Sequence, residues 1–147
     1  IFGSPIMERR MTETMTTGGV FKGALAGGVA AGAVNVGLYV LGGAMGAKYM
    51  MVPPGKTEME AIPLEMPFIM SVVPALLAAV ALVALLKFAP AKAWQGFVGL
   101  LVVGFIGMAA GPFMQMGEDM VAACALSVMH VVVVAAIYIG VKKVAPA

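Results

Sequence analysis

The stretch Val20–Ala47, VFKGALAGGVAAGAVNVGLYVLGGAMGA, carries a single charged residue, Lys22, in 28 positions. At about 1.5 Å per helical residue it outruns a hydrocarbon core about 30 Å thick, so it spans a bilayer with some tilt or overhang. Lys22 sits close enough to its start to snorkel to the interface. Three more apolar runs follow between charged or proline-rich breaks: Pro67–Leu86, Trp94–Ala110 and Met120–Val141. The third, at 17 residues, is at the lower edge of spanning length, and Gly111-Pro112 reads as its stop. The reading is an all-α integral membrane protein, with a transmembrane domain over residues 20–147 whose four helices form a bundle.

The composition agrees with that reading. Of 147 residues, 62% are hydrophobic and 11% charged, where a soluble domain carries about a quarter charged residues. A soluble enzyme is thereby set aside, and no enzymatic role is expected. A net charge of +2 with scattered basic residues provides no face for nucleic acid. The lone cysteine, Cys124, leaves no partner for an internal disulfide or a Cys-x-x-Cys pair.

No run has the flanks and cleavage site of a signal peptide, so the first span is expected to stay in the mature protein. Residues 1–19 read as a tail. Within it Met7, Met11, Thr14 and Met15 fall at helical spacing opposite Glu8, Arg9, Arg10 and Glu13, the pattern of an interfacial amphipathic helix. The opening six residues lack an initiating methionine, which makes Met7 and Met11 candidate starts. The longest connection is the loop 48–66, broken by Pro53-Pro54-Gly55 and Pro63.

Orientation follows from the basic residues. Arg9, Arg10, Lys22, Lys87, Lys92, Lys142 and Lys143 fall on one side, and only Lys48 and Lys56 on the other. The positive-inside rule then places both termini in the cytoplasm and loop 48–66 outside, in a multi-pass membrane protein. Glu58, Glu60, Glu65, Glu118 and Asp119 make the outer side acidic. Trp94 and Tyr138 near the inner boundary and Tyr49 near the outer one suit aromatic belts.

Apolar helices gain little by burying apolar surface against each other in lipid, so packing rests on close approach through small residues. Ala24, Gly28, Gly32, Asn35, Tyr39, Gly42 and Gly46 follow one stripe of the first span, with Gly23-x-x-x-Gly27 beside it. Gly96, Gly99, Gly104, Gly107 and Gly111 repeat the theme in the third. Gly28, Gly32, Gly104 and Gly107 are the packing candidates. They suit a pairing of helix one with three, of one with four, or a contact with another protein. Pro74, one turn beyond Ser71, predicts a kink whose freed carbonyl Ser71 or a neighbour satisfies.

Asn35 and His130 lie about midway through the first and fourth spans, at similar depth. A buried amide or imidazole needs a partner, and the two are candidates to meet. Ala123, Ser127, His130 and Val134 share a face of the fourth span, with Cys124 beside Ser127. One reading makes Asn35, Ser127 and His130 hydrogen-bonded glue that fixes helix register. The others make them a proton-relay or solute site, or make His130 a haem ligand. Ser127 and Cys124 beside His130 lack an evident oxyanion hole, which argues against a nucleophilic site.

Methionine is abundant, at fourteen residues. Met114, Met116 and Met120 have a spacing that gathers three thioethers around Cu(I) if Gly117 turns the chain, although adaptable apolar filling explains methionine equally. Asp119 reads as the N-cap of the fourth span. No cofactor is required by the sequence; copper and haem are the two that its residues suggest.

Asn35 with Leu38-Tyr39, the outer Pro-Gly loop, and the segment from Asp119 to Met129-His130-Val131-Val132 resemble an uncharacterised bacterial family of four-helix membrane proteins. That family is common in actinobacteria and is catalogued only as a domain of unknown function. The resemblance covers nearly the whole transmembrane part and implies Asn35, Asp119 and His130 as matching polar positions. It implies no reaction. The functional expectation is an accessory or assembly subunit of a membrane complex, in contact with lipid and with other subunits or copies of itself. A small transporter or channel subunit with a site at His130 and Asn35 is the alternative, and a copper- or haem-binding membrane protein the third.

Overall fold

A computed structural model of the protein describes residues 15–53, 55–116 and 119–144. The amphipathic tail helix expected around Met7–Met15 lies, Met15 apart, outside the described residues. Four long helices run through the described residues: α1 (Thr17–Ala44), α2 (Met66–Phe88), α3 (Ala93–Gln115) and α4 (Met120–Val144). A 3-10 turn, Pro90–Lys92, leads into α3, and two short strands, β1 (Met50–Met51) and β2 (Glu60–Ala61), lie between α1 and α2. All four helices are long and apolar enough to cross a membrane.

The helix ends follow local chemistry. Thr16 caps α1, its Oγ1 accepting from the Gly19 amide at 3.0 Å. The same helix stops at Ala44, three residues before the sequence reading, because Gly46 takes a φ of +101° that turns the chain away. The larger difference is in α3, which does not end at Gly111-Pro112. It carries Pro112 inside the helix and closes with the Met116 amide on the Pro112 carbonyl at 2.9 Å. In hydrocarbon, stopping at Gly111 strands several carbonyls, whereas continuing past the proline leaves only the one that lacks its N–H. The resulting 23 residues reach about 35 Å, a full span. Helix α2 likewise runs through Pro74. Ser71 does not serve the Met70 carbonyl that Pro74 frees; it donates to the Pro67 carbonyl at 2.6 Å.

The helices form a ring in which each packs on its sequence neighbours and α1 closes on α4. Of the pairings left open by the sequence, α1 takes α4, and it packs as closely along α2. Glycine sets both contacts. A Cβ at Gly23 would lie 2.6 Å from the Gly140 carbonyl oxygen, and one at Gly27 would strike the Ala136 carbonyl. On the α2 side, Gly28 faces Ala75 and Gly32 faces the Phe68 ring. Three backbones thus approach through the small residues of α1.

Helix α3 joins differently. Gly104 and Gly107, expected to pack, have nothing within 4 Å of where a Cβ would stand, and neither does Gly99. Its buried residues are Ala93, Trp94, Phe97 and Pro112. Trp94 and Phe97, with Leu101 beside them, hold α3 to a core of Val133, Ile137, Val141 and Leu82. Bulky side chains keep its backbone at a distance, and of its glycines only Gly96, against the end of the Leu85 side chain of α2, meets a neighbouring helix. A second cluster, of Tyr49, Ile62, Met116, Ala122 and Ala123, closes the bundle at the end that carries the strands.

Candidate functional site

Polar side chains gather at two depths. The deeper set centres on Asn35, which α1 places on its glycine stripe at 2% exposure. Its Nδ2 donates to Ser71 Oγ on α2 at 3.0 Å and to the Met129 carbonyl on α4 at 3.2 Å. One amide group therefore ties three helices at mid-membrane. Ser71 Oγ passes its own proton to Pro67, so the direction of every bond in the chain is fixed. Asn35 Oδ1 is buried and has no partner among the described residues.

The expected meeting of Asn35 with His130 takes another form. Asn35 reaches the backbone carbonyl of the preceding residue, Met129, and the imidazole turns to its own helix. His130 Nδ1 lies 2.6 Å from the Leu126 carbonyl. Since that oxygen can only accept, Nδ1 is the donor in this bond. Ser127 also bonds back along α4, to the Ala123 carbonyl at 2.9 Å, with a longer approach to Ala109 of α3 at 3.4 Å. Cys124 is exposed to the surroundings of the bundle. Rotation about the helix axis separates what depth brings level.

The space near these residues is apolar. A groove of about 300 Å³ between α3 and α4 is lined by Val98, Leu101, Val102, Phe105, Val131, Val134, Ala135 and Tyr138. A smaller cavity of about 210 Å³ is framed by Pro74, Leu77, Phe97, Gly104, Met108 and Val133 among others. Neither includes Asn35 or His130 in its lining.

The second polar set lies where the strands meet the bundle, and the sequence only hinted at it. Asp119 caps α4, its Oδ1 accepting from the Ala122 amide at 2.9 Å. Its Oδ2 also accepts the Lys48 amide at 2.7 Å and so clamps the loop to the helix. The Ala122 and Lys48 amides hold the Asp119 carboxyl below its ordinary value, helped by the Tyr49 amide and the Lys48 charge. Tyr49 is not in a lipid-facing belt. At 2% exposure it is buried in the protein, with φ +51°, stacked on Tyr39 at 4.2 Å and with its hydroxyl against Gly42. Burial, then Tyr39, then Asp119 push its phenol up. Tyr39 donates to the Ile62 carbonyl at 2.6 Å. The signal for this set was Tyr39 on the Asn35 stripe, one turn further out, together with the small residue Gly42 that admits a ring.

The candidate copper trio differs in exposure. Met116 is buried in the Tyr49 cluster, whereas Met114 is 84% exposed at the end of α3 and Met120 is exposed at the start of α4. Among the described residues no three His, Cys, Asp or Glu side chains gather at a metal-binding distance. At the opposite end Trp94, Tyr138 and Lys142 stack in sequence. The two rings are 5.5 Å apart, and Lys142 Nζ is 5.4 Å from the Tyr138 ring centre and 3.5 Å from its hydroxyl.

Neither the curated proteins nor the solved structures contain a match to this chain. A family model matches residues 15–147, the whole of the bundle with its strands, Asn35, Asp119 and His130 included. With four membrane-length helices and that match over nearly its full length, the chain belongs to DUF6069, a family of unknown function.

Proposed function

We propose that this small multi-pass membrane protein is an accessory or assembly subunit of a bacterial inner-membrane complex, working through helix contacts and not as an enzyme. The observation that carries the reading is the poor cover of α3. Of its most apolar stretch only 17% is buried within the protein, against 33% for α1. Gly107, exposed and on the side of α3 away from Val98 and Val102, is open to a close-approaching backbone, whereas Gly104 looks into the cavity toward α2 and α4. Glycines that serve no internal contact weaken a helix, and a partner helix gives them a use.

The apolar lining of both cavities favours this reading over a transporter, which needs a polar, water-accessible site at the depth of Asn35 and His130. Both termini then face the cytoplasm, with the acidic strand-bearing end outside.

The test is gentle extraction from native membranes, with mass spectrometry of what co-purifies with the wild-type chain and with a Gly107→Leu variant. Because a Cβ at Gly107 meets nothing within 4 Å and the position is exposed, the variant is expected to fold as the wild type does. Loss of a stoichiometric partner from the variant is the expected result. A wild-type chain that purifies without a companion, or a companion that survives the substitution, overturns the reading.

A further inference from the structure

The groove between α3 and α4 lies on a different face of α3 from Gly107 and faces the lipid. Val102, Val131 and Ala135 along it are exposed. From Val98 to Phe105 on α3, and from Val131 to Tyr138 on α4, it runs seven residues, about 10 Å along the helix axes. It therefore reaches from the membrane boundary marked by Trp94 and Tyr138 about a third of the way through a hydrocarbon core about 30 Å thick. Its exposed lining is wholly apolar, and Tyr138 contributes its ring at the boundary end, with the hydroxyl turned to Lys142.

Charge at that mouth has one sign. Lys142 is held over the Tyr138 ring, with Lys143 next to it in sequence, and Lys92 sits in the turn that leads to Trp94. Lys22 and Lys87 lie at the same end of the bundle. Every described acid, Glu58, Glu60, Glu65 and Asp119, is in the strand-bearing half beyond. Lysines at this end are thus without carboxylate partners among the described residues; the ion pair that is formed, Lys56 with Glu60, belongs to the other end.

An apolar groove, closed at the boundary by a tyrosine whose hydroxyl meets an ammonium without a carboxylate partner among the described residues, matches one amphiphile. We propose that the α3–α4 groove is a binding site for an anionic glycerophospholipid. One acyl chain lies between Val102 and Ala135, and the phosphate rests against Lys142 and the Tyr138 hydroxyl. A zwitterionic lipid fills the same groove with its tail but brings a second positive charge to the lysines. Selectivity therefore comes from the headgroup and retention from the tail, and each has its own residues.

The experiment uses the full chain, stripped of lipid in detergent and titrated with dioleoylphosphatidylglycerol or dioleoylphosphatidylcholine under native mass spectrometry. The expected result is a single phosphatidylglycerol adduct that outlasts phosphatidylcholine at equal concentration. Lys142→Ala weakens it about fivefold, the worth of one lysine near an anionic surface. Val102→Trp, which fills the groove from its lipid side, displaces both lipids, and the milder Ala135→Leu repeats the effect if the tryptophan disturbs folding. Equal retention of the two lipids, or a Lys142→Ala chain that keeps its selectivity, overturns the proposal. So does an adduct that neither groove substitution weakens. Displacement by glycerol 3-phosphate in solution assigns the lysines to a soluble phosphate and overturns it as well. The glycine of the proposed partner contact is untouched by these substitutions, so the two readings fail separately.

Discussion

Single side chains hold this bundle at two points. At mid-membrane Asn35 gives both of its amide protons away, to α2 and to α4, and its oxygen has no partner among the described residues. An interhelical hydrogen bond in a membrane protein is worth on average only about 0.6 kcal/mol, so Asn35 acts more as a register pin than as a source of stability. At the strand-bearing end Asp119 does comparable work in water, where it is open to titration. Its carboxyl is held below the ordinary value of 3.8. Its contribution is therefore complete above that value and is lost as the pH falls from there through the lowered one. Hydrogen exchange gives the check: the protection factor of the Lys48 amide, corrected for the intrinsic rate, falls as the pH drops through that range, and in an Asp119→Ala chain it is already low near neutrality. Equal protection in the two proteins would show that the loop is held by the Tyr39–Tyr49 stack alone. The sequence showed Asp119 as a cap because an acid beside the start of an apolar run is a local pattern. Its hold on Lys48, 71 positions away in the chain, has no local signature.

At the scale of elements, two kinds of glycine sit in helices of similar composition. Gly27 faces the Ala136 carbonyl directly, while Gly107 faces open space. Gly27→Ala must push α1 and α4 apart and is expected to cost about 1–3 kcal/mol, the usual range for overpacking. Gly107→Ala is expected to be neutral or to stabilise by up to about 1 kcal/mol, by raising helix propensity. Unfolding of both variants in mixed micelles measures the difference, and a Gly107→Ala chain as unstable as Gly27→Ala would contradict the packing described. Spacing alone made both stripes look alike, since small residues at helical intervals state that close approach is permitted and not where it occurs. The third helix shows the converse limit. Gly111-Pro112 has the local chemistry of a stop, but the demand of hydrocarbon for satisfied carbonyls carried the helix past it.

For the whole molecule, hydropathy sufficed to give four spans and their order, because a bilayer permits few alternatives to a helix. Helix depth was legible too, by counting, and Asn35 and His130 are level as expected. Their mutual indifference was not, because it depends on how each helix is rotated about its axis, which only the packed neighbours set. Sidedness rests on the lysines. In a Cys124→Ser background, Lys56→Cys is expected to react with a membrane-impermeant maleimide added to intact spheroplasts, and Lys143→Cys only after the membrane is opened. The reverse pattern would turn the molecule over and place the lysine-rich end outside.

The contrast between α1 and α3 has a mechanical meaning. Carbonyl oxygens lodged against glycines cannot slide without collision, so α1, α2 and α4 form a stiff spar through the bilayer. Rings and aliphatic chains repack at small cost, and α3 is the compliant strut beside it. A change in bilayer thickness will therefore be absorbed by the tilt of α3 while the Asn35 node stays in place. The partner proposed for α3 would then sense the membrane through the most compliant helix of the bundle.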